Sequence, residues 1–175
     1  MQELFSLPGF RTLAGLLPFV LALLGTLVAN FPISLTGGVL PVPLFGLMAV
    51  YFWGLVRPDL MPPWAALLVG LAEDLLSGGP PGIWATSFVA SYIFVDRLRD
   101  SLAGLASHGA ILGFAAAVLV AAGTAFAIVA VYYWRLPPIG PVMGAVAVNV
   151  VWYIPAVWLM NKAQHHLVGP LRSDF

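Results

Sequence analysis

Between Ser101 and Trp134 the chain carries no formally charged side chain. That run is longer than one crossing of a ~30 Å hydrocarbon layer requires. The composition points the same way, since 61% of the 175 residues are hydrophobic, 8% are charged and the mean hydropathy is +0.99. A soluble domain of this composition would lack the polar surface to cover itself, so the chain reads as an integral membrane protein. The formal net charge is zero, which provides no basic face for nucleic acid. The absence of cysteine excludes disulfides and thiolate metal sites and carries no information about compartment.

Charges and turn residues divide the chain into six predicted helices, at about 13–31, 44–56, 61–77, 83–95, 108–134 and 141–161. Met1 to Arg11 is a short, mildly amphipathic start, and the first helix carries Pro18 and Gly25. The start matches a cleaved signal peptide poorly, so this helix is expected to stay. Pro32 to Pro43 has the Gly/Pro density of a loop or a re-entrant stretch. Helix two closes on Tyr51, Phe52 and Trp53, a cluster suited to the headgroup belt, and ends at Arg57-Pro58-Asp59. Helix three accepts Pro62 and Pro63 in its first turn, where a missing amide hydrogen costs nothing.

Gly78 to Gly82 forms a tight turn, and helix four is expected to stop at the charged loop Asp96 to Asp100. Ser101 to Ser107 is then expected to lie along the interface. Tyr132, Tyr133 and Trp134 form a second aromatic belt, Arg135 to Pro138 the next turn, and Pro155 a kink in helix six. Lys162 to Phe175 is a polar tail. Six crossings put both termini on one side. Arg11, Arg57, Arg97, Arg99, Lys162 and Arg172 fall on that side and Arg135 on the other, a bias that the positive-inside rule reads as cytoplasmic termini. The predicted fold class is an all-α membrane protein, a single bundle of about six transmembrane helices over residues 1–175.

Glu73 and Asp74 are the chemically charged feature of this apolar chain. They follow Pro63 by about ten residues, which at 1.5 Å per residue places them roughly 15 Å deep, near the bilayer centre. An ionisable group there costs at least ~2.5 kcal/mol and is expected to face protein. Adjacent helical residues point about 100° apart, so Asp74 is read as the inward group and Glu73 as peripheral. The two readings of Asp74 are a structural, hydrogen-bonding acid and a direct contact to a partner or an ion. Gly78, Gly79 and Gly82 allow positive φ and close helix approach, and phosphate cradling is disfavoured because no Lys or Arg lies between Arg57 and Arg97.

Small-xxx-small patterns at Gly109 to Gly113 and Gly140 to Gly144 are expected to serve packing within the bundle. Asn149 is expected to meet Asp74. His108 stands alone, and His165 with His166 lacks the i, i+4 geometry of a helical metal pair. There is no Ser/His/Asp set, zinc-protease motif or acidic dyad, so neither an enzyme nor a cofactor is expected.

The stretch Gly70-Leu-Ala-Glu-Asp74-Leu-Leu-Ser77-Gly78-Gly-Pro-Pro-Gly82 resembles the most recognisable part of the rod shape-determining protein MreD family. There a glycine is followed four positions on by an acidic residue, a Leu/Ile pair, Ser-Gly and a further glycine. Tyr51 to Trp53 and the run through Asn149, Trp152 and Pro155 look like the family as well. The resemblance implies a non-enzymatic, multi-pass subunit of the cell-elongation complex in the bacterial inner (cytoplasmic) membrane. It would be surrounded by membrane lipids and bind MreC, and through it RodA, a class B penicillin-binding transpeptidase and, indirectly, MreB.

The alternative is a substrate-binding subunit of an energy-coupling-factor vitamin transporter, whose fold is thought to be similar. Such a protein would need polar ligand contacts in its outer loops, where this chain offers Ser34, Thr36, Ser77 and Arg135. That scarcity keeps the scaffold reading ahead.

Overall fold

The computed structural model describes residues 8–31, 41–103 and 107–164. Among these the protein is all-helical, with α1 (Pro8–Ala29), α2 (Phe45–Val56), α3 (Pro63–Ser77), α4 (Ile83–Ala103), α5 (Ser107–Tyr133) and α6 (Ile139–Ala163). The expectations for Met1 to Leu7, for Ser34 and Thr36 in the Pro32 stretch, and for His165, His166 and Arg172 fall outside the described residues.

The arrangement is organised around α2. Its sequence is apolar on every side, and such a helix is stable only when it is surrounded. Residues Gly46 to Gly54 are all buried, and α2 contacts each of the other five helices. Tyr51, Phe52 and Trp53 therefore do not form a headgroup belt: they are 1%, 3% and 0% exposed. Tyr51 packs edge-on against Phe114 of α5 and Tyr153 of α6, and those two rings stack 4.1 Å apart. The Tyr51 hydroxyl donates to the carbonyl of Ala110 at 3.0 Å, which satisfies one of the two hydroxyls of this aromatic knot. Sequence reasoning placed the cluster at an interface because aromatic residues at a helix end favour that region; burial from five sides overrode the preference.

Helix ends depart from expectation where charge was read as a break. Instead of stopping near Val95, α4 continues through Asp96 to Asp100 as far as Ala103. No proline or glycine interrupts this run, and Arg99 pairs with Asp96 three residues earlier on the same helical face. Ser101 to Ala103 of the segment expected along the interface is thus helix, residues 104–106 lie outside the described residues, and α5 opens at Ser107. At the other end α5 stops because Trp134 adopts a left-handed conformation, φ 53°. α1 begins earlier than expected, with Pro8 as its first residue, and α6 runs unbroken through Pro155.

At 27 and 25 residues, α5 and α6 reach about 40 and 38 Å. Both are long and apolar enough to cross a membrane, yet 22% and 17% of their most apolar stretches are buried within the fold. The core helix of a soluble protein would be enclosed; here Leu112, Leu119, Val151, Trp158 and Leu159 face outward. The small faces divide unevenly. On α5, Gly113, Ala117 and Ala121 are buried, whereas Gly140 and Gly144 of α6 have open space where a side chain would stand. The expected internal use of the Gly140 pattern is therefore not found.

Close approach of α1 to α2 depends on Gly46, where an added Cβ would lie 2.1 Å from Thr26 Oγ1 and 3.1 Å from Val69 Cγ1. Gly46→Ala is expected to lower stability by roughly 1 to 3 kcal/mol, read as a reduced thermal midpoint of the full chain in detergent; an unchanged midpoint would show that α1 can move aside freely.

Candidate functional site

Every α-helix begins with backbone N–H groups that its own turns cannot satisfy. At the start of α4 these groups are enclosed by α3, and the side chain that meets them is Asp74. Its Oδ2 accepts the N–H of Gly82 at 2.9 Å and of Ala85 at 3.0 Å, while Oδ1 accepts the N–H of Trp84 at 2.8 Å. This is an N-cap supplied from the preceding helix instead of from the preceding residue. The carboxylate also faces the positive end of the α4 macrodipole. Hydrogen bonds to a charged acceptor contribute about 1.5 to 3 kcal/mol each, so the three bonds fasten the start of α4 to α3.

The glycines of the motif are what let the cap form. Gly70 stands one turn before Asp74 on the same face of α3. A Cβ at Gly70 would lie 2.6 Å from Ala85 Cα and 2.7 Å from the Trp84 carbonyl oxygen, so the two backbones touch. Gly78 closes α3 in the left-handed conformation, φ 67°, and Gly82 takes φ 97° immediately before α4. Ser77 contributes a long contact, its hydroxyl donating to the Asp74 carbonyl at 3.4 Å. Gly70, Asp74, Ser77, Gly78 and Gly82 are thus brought together as one node. Asp74 lies in the last turn of α3, close to the Gly78 turn.

Glu73 is not peripheral. It is 4% exposed, and its Oε1 accepts a 2.8 Å hydrogen bond from Asn30 Nδ2 at the end of α1. Adjacent carboxylates therefore point to opposite neighbours, Glu73 to α1 and Asp74 to α4, as the 100° helical step dictates.

Asn149 does not meet Asp74. Its Oδ1 accepts the N–H of Leu44, just before α2, at 2.8 Å, and its Nδ2 donates to the Ala145 carbonyl at 2.8 Å. The side chain caps the buried start of α2, as Asp74 does for α4. One turn of chain on, Trp152 packs edge-on against Phe45 at 5.8 Å, while Pro155 is exposed. The Asn149 group is therefore a second node, separate from the motif. Sequence reasoning missed Asn30, Leu44 and Trp84. Asn30 was legible as the polar residue closing an apolar helix; the other two act through backbone atoms, which carry no sequence signal.

Between the two capped starts lies an apolar crevice of about 170 Å³, walled by Trp84, Leu44, Val118, Phe126 and Val146, with Asn149 as its polar member. On the opposite edge of the bundle, Arg57 clasps Asp59 through two hydrogen bonds of 2.9 and 3.0 Å. The guanidinium holds the Asp59 carboxyl below its ordinary range. The chemistry available at these nodes is the anchoring of helix starts, with each acceptor already engaged by backbone donors.

Asp74→Asn replaces one acceptor oxygen by an NH2 that faces amide donors, and a loss of about 2 to 4 kcal/mol is expected, with faster hydrogen exchange at Gly82, Trp84 and Ala85. Unaltered exchange there would remove the cap. Asn149→Ala combined with Asp74→Asn is expected to be additive within about 0.5 kcal/mol, because the two side chains share no partner; a larger coupling in a double-mutant cycle would contradict the separation of the nodes. No family model, curated protein or solved structure matches the chain.

Proposed function

We propose that this protein is a non-enzymatic, multi-pass subunit of the bacterial cell-elongation complex, of the MreD type. In this reading it lies in the inner (cytoplasmic) membrane with both termini cytoplasmic, and its six helices all belong to the membrane bundle. The observation that carries the proposal is the folding of the Gly70 to Gly82 motif as a single node. Its glycine, acid, serine and paired glycines each have a position to fill in joining α3 to α4, which accounts for the residue spacing that resembles the family. Asp74 is fully engaged by amides, so it acts by shaping the surface that partners meet and not by reacting with them.

The partners are MreC and, through it, RodA and its class B penicillin-binding transpeptidase, with MreB reached indirectly. Engagement falls to outward helix faces. The unoccupied small face of α6 at Gly140 and Gly144 and the exposed Tyr132, Tyr133 and Trp134 are the surfaces most suited to a neighbouring transmembrane helix. A vitamin-binding role fits less well. Polar ligands require several convergent polar groups in a pocket of about 300 Å³ or more, and the crevice beside Asn149 is about 170 Å³ and nearly all apolar.

Affinity purification of the tagged full chain from native membranes in mild detergent, followed by mass spectrometry, tests this assignment. MreC with RodA or the transpeptidase is expected; paired ATPases with a coupling membrane subunit would establish the transporter instead. Asp74→Leu is expected to insert in the membrane yet fail to support rod shape, and normal rods from that variant would refute the importance given to the α4 cap.

A further inference from the structure

The crevice between α5 and α6 owes its existence to unequal helix lengths. Leu44, bonded to Asn149, marks the approach to α2, and α6 has by then run about ten residues, or roughly 15 Å, from Ile139. The 12-residue α2 does not follow it. Beyond that level the inner faces of α5 and α6 enclose a gap, lined from Val118 to Val129 on one side and from Val142 to Asn149 on the other. Val118, Val146 and Asn149 are buried at its floor, while Phe126 and Trp84 in its walls are half-buried. The space therefore opens outward.

Water is a poor occupant. It needs several polar partners in such a place, and the amide at the floor, Asn149, is already engaged at its oxygen by Leu44 and at its nitrogen by Ala145. An apolar cavity of about 150 Å³ stays dry and takes up benzene-sized molecules, and this crevice holds about 170 Å³. Left empty, its walls would forfeit dispersion contacts. A helix, about 10 Å across, cannot enter it, whereas a single hydrocarbon chain can. The lining covers about 10 Å of α6 and about 16 Å of α5, the depth of one leaflet of a ~30 Å hydrocarbon layer.

The mouth of the crevice carries a charge. Pro137 lines the end nearest the α5–α6 turn, and Arg135, two residues before it, lies within about 7.6 Å of it at Cα. Arg135 is exposed. Among the described residues the ion pairs are Arg57 with Asp59 and Arg99 with Asp96, so the Arg135 guanidinium is available to an anion. Exposed Tyr132, Tyr133 and Trp134 precede it, and their amphipathic rings suit the headgroup level. We propose, resting on the membrane placement of the bundle but not on its partners, that the crevice holds one acyl chain of a phospholipid whose phosphate pairs with Arg135. A guanidinium matches the geometry of phosphate. The chain enters beside Pro137 and ends above Asn149, filling the space that α2 leaves.

The test adds dioleoylphosphatidylglycerol to the full chain in maltoside detergent and follows binding by native mass spectrometry. One lipid per chain is expected. Dioleoylglycerol, which has the tails without the phosphate, is expected to bind less, and glycerol 3-phosphate, which has the phosphate without the tails, not to compete. Ala122→Leu puts a larger side chain into the crevice and is expected to weaken binding roughly tenfold, with no loss of thermal midpoint in the absence of lipid. Arg135→Gln, at an exposed site, is expected to weaken it roughly three- to fivefold and to erase the preference over dioleoylglycerol. Unchanged lipid affinity in a folded Ala122→Leu or in Arg135→Gln, competition by glycerol 3-phosphate, or a polypeptide retained in place of lipid would each overturn the proposal. A chain that fractionates apart from membranes would overturn it together with the membrane placement, and a membrane-bound chain that takes up no lipid would overturn it alone.

Discussion

A helix that starts inside a protein exposes several N–H groups to a medium with nothing to offer them, and each such group left unpaired costs about 1 to 3 kcal/mol. Among the described residues two such starts are met by a side chain from another helix. Asp74 of α3 takes three amides at the head of α4, and Asn149 of α6 takes the amide that precedes α2. The short helices α2 and α3 can therefore end within the bundle, because their junctions are satisfied by protein.

Packing follows from those junctions. Asp74 reaches the α4 amides only if the two backbones nearly touch, and Gly70 is the residue that permits it. At α2 the same condition is met by Gly46 against Thr26. Once these contacts fix the inner helices, the aromatic knot of Tyr51, Phe114 and Tyr153 fills the space between α2, α5 and α6. The outer surfaces of α5 and α6 are left apolar and uncovered, as they would be in contact with lipid or a partner helix.

Six helices were legible in the sequence because apolar runs alternate with proline, glycine and charge, and the position of each helix was recovered. Their ends were less legible. A charge run marks where a chain prefers water, and α4 shows that it need not mark where hydrogen bonding stops. The Gly70 to Gly82 node could be read as a unit from its spacing, since an acid one turn after a glycine shares its helical face. The pairing of Asn149 with Leu44 could not, because the donor is a backbone amide and any residue could have supplied it. Tyr51 to Trp53 misled for a related reason: aromatic side chains suit both an interface and a core, and the neighbours decide.

The bond between Asn149 and Leu44 joins positions 105 residues apart, the first from the last helix and the second from the approach to α2. A chain made from its beginning therefore completes five helices before the acceptor for that amide exists. Until α6 arrives, the central helix has an unsatisfied start and one flank missing from its aromatic knot. Such long-range closure is slow compared with the pairing of successive helices. The maturation of the centre of this protein is thus tied to delivery of its last helix, and damage to α6 would be felt first at α2.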